Sequence, residues 1–174
     1  MKGFIMGWFE SLISVGVGGL LSIGGIWFIE YRKEKREKQI ISNAIISEIS
    51  LILKIIQFRG YVQAFHDLVL YYEKGGTEFN RAPIKVTYNY FCVFEANIGK
   101  LGLIDNDIDS IVKFYTLAKV ILEDVACDET FSRRSISARI EILREDITLA
   151  NELIATGNRI LKKFKKTGIE IPTE

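Results

Sequence analysis

The 174-residue chain is 48% hydrophobic and 26% charged, with a formal net charge of +1. That length suits one domain plus an anchor, and near-neutrality excludes a whole-chain electrostatic footprint for nucleic acid. Its two cysteines, Cys92 and Cys127, lie far apart, without CxxC or nearby histidine spacing. This argues against zinc and against a disulfide framework, and it fits a reduced cytoplasmic setting. No cofactor and no metal is expected.

The hydrophobic residues are unevenly placed. Residues 3–29 carry one charge, Glu10, and residues 11–29 carry none. A spanning helix needs about 20 mostly apolar residues, so residues 1–31 read as a transmembrane anchor. Trp8 and Trp27 would stand about 28 Å apart along a helix axis, one in each interfacial belt. The A-x-A-like site of a cleavable signal peptide is missing. Arg32, Lys33, Lys35, Arg36 and Lys38 follow the span, whereas only Lys2 precedes it. The positive-inside rule then predicts an N-terminus outside and a C-terminal domain in the cytoplasm.

Within the span, Gly7, Ser11, Ser14, Gly18, Ser22 and Gly25 fall within an arc of roughly 80° at about 100° per residue. Small stripes let helix backbones approach in lipid, so the span is expected to pack against copies of itself. Glu10 lies beside this stripe, at a depth where an ionisable group faces protein or water or snorkels to the interface.

The helix is expected to run on into the cytoplasm. Ile41, Ile45, Ile49, Ile52, Ile56 and Val62 recur at helical spacing, thickened by Ile55, Phe65, Leu68 and Val69, until Gly75 and Gly76 end the element. Residues 84–94 alternate as a strand would, but a lone strand has no partner. A helix from Thr87 or Asn89 to Gly99 is preferred. Asp105 or Asn106 caps the next helix, whose stripe is Ile108, Ile111, Val112, Tyr115, Ala118 and Leu122, ending near Cys127. Thr130 or Ser132 opens the last helix, whose stripe is Ile136, Ile140, Leu143, Ile147, Ile154 and Leu161, running to Lys166. The expected fold is all-α: one N-terminal transmembrane helix continuing into a cytoplasmic four-helix bundle (residues 32–167), then a tail (168–174).

Candidate chemistry is sparse. His66 is the only histidine, and Arg59 precedes it by seven residues, two helical turns. On one continuous helix both would point the same way. An arginine that holds phosphate beside an imidazole that moves a proton can cleave RNA through its own 2′-hydroxyl, without metal. The plainer account makes His66 a surface residue. Asp105, Asp107 and Asp109 lack the glycine and distal glutamate of a calcium loop, and helix capping explains them. Arg159, Lys162, Lys163, Lys165 and Lys166 form an acid-free block. It meets a helix C-terminal dipole or, alternatively, anionic lipid or RNA.

One span, an all-helical cytoplasmic domain and the Arg59-x6-His66 pair together resemble a family: the membrane accessory protein encoded beside the RNA-targeting nuclease of type VI-B CRISPR loci. The resemblance implies a divergent HEPN-type domain and a ring-shaped membrane pore that strengthens antiphage defence, with that nuclease as functional partner. Gly60 follows the arginine where HEPN nucleases usually carry a polar residue, and Arg59 sits on the first cytoplasmic helix instead of late in the domain. Both departures bear on nuclease activity more than on the pore. Three functions are therefore in play: a homo-oligomeric pore, a membrane-tethered metal-independent ribonuclease using Arg59 and His66, and a non-enzymatic anchor or scaffold.

Overall fold

The computed structural model describes residues 2–77, 90–104, 107–126 and 131–166, with residues 2–24 described by their backbone alone. Most of these residues are helical. The elements are α1 (Lys2–Arg59), α2 (Tyr61–Glu73), α3 (Cys92–Asn97), a 3-10 turn (Ile98–Leu103), α4 (Ile108–Ala126) and α5 (Ile136–Lys166). The chain forms two compact units, Met1–Ile40 and Ile41–Glu174.

The first unit is helical backbone from Lys2, and the second is the bundle. In the bundle the isoleucine stripe of α1 packs as its spacing predicts: Ile41, Ile45, Ile49 and Ile52 are buried. They meet Phe94 of α3, Ile111, Phe114, Tyr115 and Ala118 of α4, and Leu153, Ile160 and Phe164 of α5. A second cluster joins Phe65, Val69 and Tyr72 of α2 to Phe131 and Leu143. Helix α5 takes part in both clusters and so ties the bundle together.

Several boundaries differ from expectation. The helix expected to run unbroken from the span to Gly75 is two helices, because Gly60 adopts φ 62°, ψ 33°. The left-handed conformation disfavours any residue with a Cβ. The Gly75–Gly76 stop is confirmed and its mechanism is visible: the Gly76 N–H donates to the Tyr71 carbonyl (3.0 Å) and the Gly75 N–H to that of Tyr72 (3.0 Å). With Gly75 at φ 90°, this is the paired-bond termination that glycine makes cheap.

Helix α3 ends at Asn97, and the chain tightens into a 3-10 turn instead of continuing as α-helix to Gly99. The proposed starts Thr87 and Asn89 lie outside the described residues, as do Asp105, Asn106, Cys127, Thr130 and the tail. Helix α4 begins at Ile108, which puts Asp107 in the capping position; its carbonyl accepts the Ile111 N–H (3.0 Å). The last helix starts at Ile136, not at Thr130 or Ser132. Ser135 is its cap, with Oγ accepting the Ala138 N–H at 3.3 Å.

The buried face of α5 also departs from the predicted stripe. Leu143, Asp146, Ala150, Leu153, Gly157, Ile160 and Phe164 are buried at alternating steps of three and four, while Ile140, Ile147, Ile154 and Leu161 are only half-buried. Asp146 and Gly157 interrupt the apolar signal without leaving the core face. At Gly157 a Cβ would stand 2.8 Å from Leu53 Cδ1 and from Phe114 Cε2, so the missing side chain is what lets α5 approach α1 and α4.

Candidate functional site

The stretch Gly25–Glu73, which takes in the later part of α1 and all of α2, is long and apolar enough by length and composition to cross a membrane, with a mean hydropathy of 1.6 in its most apolar window. Length and composition alone do not locate a crossing there, because Ile41, Ile45, Ile46, Ile49 and Ile52 are already buried in the bundle. Several large apolar side chains of the stretch lack such cover, Ile40, Leu51 and Phe58 among them, and four that lack it are consecutive: Ile26, Trp27, Phe28 and Ile29, between 53% and 69% exposed. They close the uncharged sequence run 11–29. A run of large apolar side chains facing outward all round a helix is a surface that water disfavours.

The next turn brings aromatic rings and cations together. Trp27 stacks on Tyr31 with ring centroids 6.0 Å apart, and the Arg32 guanidinium lies 5.0 Å from the Phe28 ring centre. Aromatic rings and long cations collect where one end of a side chain is apolar and the other wet. Arg32, Lys33, Lys35 and Arg36 are exposed and Lys38 is half-buried. Gly7, Trp8, Glu10, Ser11, Ser14, Gly18 and Ser22 lie on the α1 backbone, in the part described without side chains. A Cβ placed on Gly25 would meet nothing within 4 Å.

The Arg59–His66 pair loses its premise. Gly60 breaks the helix between the two, so they share no common register. Arg59 Nη1 donates to the Tyr61 hydroxyl at 2.9 Å, which raises the already high pKa of the guanidinium. His66 is exposed on α2.

The C-terminal cations divide. Lys163 pairs with Asp107 at 3.2 Å and Arg159 Nη2 reaches Ser110 Oγ at 3.4 Å, so both meet the start of α4. Lys162 and Lys165 are exposed. Among the described residues no group of three or more His, Cys, Asp or Glu is placed to hold a metal ion.

The residue that periodicity passes over is Glu48. It is only 7% exposed and accepts three donors: the Val93 N–H at 2.8 Å, the Phe94 N–H at 3.0 Å and the Tyr115 hydroxyl at 2.6 Å. The Cys92 thiol lies 3.7 Å away. A carboxylate at the open N–H groups of a helix start is stabilised by charge and dipole together. Burial first, then the bond to Glu48, pushes the Tyr115 hydroxyl well above the usual tyrosine range, so it remains a donor at neutral pH. One signal in the sequence pointed here: Glu48 is the acid that falls between Ile45, Ile49 and Ile52 on the apolar face.

Arg139 is a second such residue. Its Nε donates to the Arg134 carbonyl at 3.0 Å, another nitrogen reaches the Ser132 carbonyl, and its guanidinium lies 5.7 Å from the Tyr72 ring centre. These contacts hold the turn before α5 against α2. Compared with known proteins, the chain matches no family model, no curated protein and no solved structure.

Proposed function

We propose that this chain is a single-pass protein of the bacterial inner membrane that assembles with copies of itself into a pore-like complex. The observation that carries the membrane half is the exposed run Ile26–Trp27–Phe28–Ile29, bordered by the Trp27–Tyr31 stack and by Arg32. Orientation follows from Arg32, Lys33, Lys35, Arg36 and Lys38 on one flank against Lys2 on the other: N-terminus outside, bundle in the cytoplasm.

Self-association rests on the spacing of Gly7, Ser11, Ser14, Gly18, Ser22 and Gly25. A ring requires head-to-tail contacts that close, with the bundle holding neighbours together and Glu10 at the mouth. The role in antiphage defence, by permeabilising or depolarising the membrane alongside an RNA-targeting nuclease, comes from the resemblance to the type VI-B accessory family.

The deciding experiment is the mass of the detergent-purified protein by light scattering, corrected for bound detergent, followed by conductance in liposomes. A discrete higher oligomer that conducts is the expected result. A monomer or dimer without conductance overturns the pore and leaves a tethered scaffold.

A further inference from the structure

The packing of α5 fixes where in the bundle its basic block lies. Gly157 faces Leu53 of α1, Ile154 and Asn158 share a groove with Ile56, Gln57, Val62 and Gln63, and Arg144 pairs with Glu73 at 2.7 Å. Following the chain from Leu53 to Glu73 thus retraces α5 from Gly157 back to Arg144. Helix α5 is antiparallel to α1 and α2, and its residues beyond Gly157 lie beside the part of α1 that precedes Leu53. Lys165 is eight residues past Gly157, about 12 Å along the axis, at the level of Ile45. That is the end where α1 enters the bundle, at Ile41.

The start of α4 reaches the same end, through Asp107 to Lys163 and Ser110 to Arg159. Arg159, Lys162, Lys163 and Lys165 outnumber the acids there, Asp107 and Asp109, and residues 153–169 carry no acid. Lys162 and Lys165 are exposed, three residues apart on one side of the helix. A helix dipole accounts for cations in the last turn only, whereas this block begins two turns before Lys166.

The neighbours of these charges decide which polyanion they suit. Phe164, the single aromatic of the block, is buried, so the block offers no ring for a nucleobase to stack on. Lysines are point charges on flexible stems, which suit a surface of scattered phosphates. We propose that this end of the bundle docks on anionic phospholipid headgroups through Lys162 and Lys165, with Arg159 and Lys163 adding to the positive field. The docking rests on the membrane-anchored reading given above, in which the apolar N-terminal run keeps the bundle beside the anionic leaflet at high effective concentration.

The test uses the full-length protein in nanodiscs of phosphatidylcholine, alone or with an equal share of phosphatidylglycerol. An amine-reactive ester acylates the lysines, and mass spectrometry reads the rate at each. Lys162 and Lys165 should react about fivefold or more slowly in the anionic discs, the effect of one basic side chain at a charged surface. Salt at roughly 0.5 M should erase the difference. Lys74, at the far end of α2, should react equally in both discs. Lys165→Glu should abolish the dependence of Lys162 on lipid charge, and a variant that keeps it overturns the docking. Equal rates at wild-type Lys162 in the two discs also overturn it, while leaving the membrane span intact. Protein that stays out of the discs overturns the membrane reading and the docking with it. Slowing by a single-stranded RNA but not by phosphatidylglycerol would assign the surface to RNA instead.

Discussion

The Tyr115 hydroxyl donates to Glu48 across 2.6 Å, and the same carboxylate accepts the N–H groups that open α3. One acidic side chain thus joins α1, α3 and α4 inside the apolar core. A buried carboxylate is tolerated when its hydrogen-bonding capacity is met and is costly otherwise.

Glu48→Ala should therefore destabilise the bundle by about 3 kcal/mol or more, since it strands three buried donors at about 1–3 kcal/mol each. Glu48→Gln, which keeps one acceptor oxygen, should cost less. Thermal unfolding followed by circular dichroism separates the two. Equal melting of wild type and Glu48→Ala would show that the carboxylate holds nothing.

The alkaline limb of stability tests Tyr115. Its folded pKa is raised, while the unfolded hydroxyl ionises near 10. Above pH ~10 the unfolded state binds fewer protons than the folded one, so stability is lost as pH rises. The wild type should lose up to about 1.4 kcal/mol per pH unit more than Tyr115→Phe above that point, read from denaturation midpoints at pH 9, 10 and 11. Parallel slopes for the two proteins would contradict the burial of this hydroxyl.

At Gly60 the cost is purely one of backbone. A Cβ there meets nothing within 4 Å, yet φ is 62°. Gly60→Ala should cost about 1–2 kcal/mol, and Gly60→Asn less, because asparagine visits this region more readily. An alanine variant as stable as wild type would mean that α1 and α2 fuse into one helix without penalty.

Gly157 poses the opposite case, in which packing governs. Alanine is the better helix former by up to about 1 kcal/mol, but its methyl would press on Leu53 and on Phe114, which is fully buried. Overpacking typically costs about 1–3 kcal/mol, so Gly157→Ala should destabilise. A stabilised variant would show that Leu53 and Phe114 yield easily.

In the proposed membrane assembly, Gly18→Leu should dissolve the oligomer, because a large side chain in the small-residue stripe holds neighbouring backbones apart. Light scattering on the purified variant reads this directly. An unchanged oligomer would rule that stripe out as the interface.

The all-α class and the core face of α1 were legible in the sequence because Ile41, Ile45, Ile49 and Ile52 form an unmixed apolar signal. The face of α5 was not, since Asp146 and Gly157 are core positions held by residues that hydrophobicity does not register. Phe114 was likewise passed over beside Tyr115, although both are buried. Gly60 was readable as a residue free to turn the chain, but whether a glycine ends a helix depends on what the next segment packs against. For α2 that is α5 and its Leu143. Of the candidate site, the anchor pattern was plain in composition. The Glu48 network was not, because it joins residues far apart in the chain, and no local spacing encodes such a meeting.

The span between Glu48 and Phe94, 46 residues, also fixes an order of events during synthesis. At about 5–20 residues per second, the ribosome makes the acceptor roughly 2–9 s before the Val93 and Phe94 donors. During that interval the apolar N-terminal run and the inner face of α1 already exist. The six residues of α3 are too few to hold a helix alone, so they become helical only on reaching a carboxylate made earlier. Glu48 thus works as a timer as well as a tie: the bundle closes over α1 only after Val93 and Phe94 have been made.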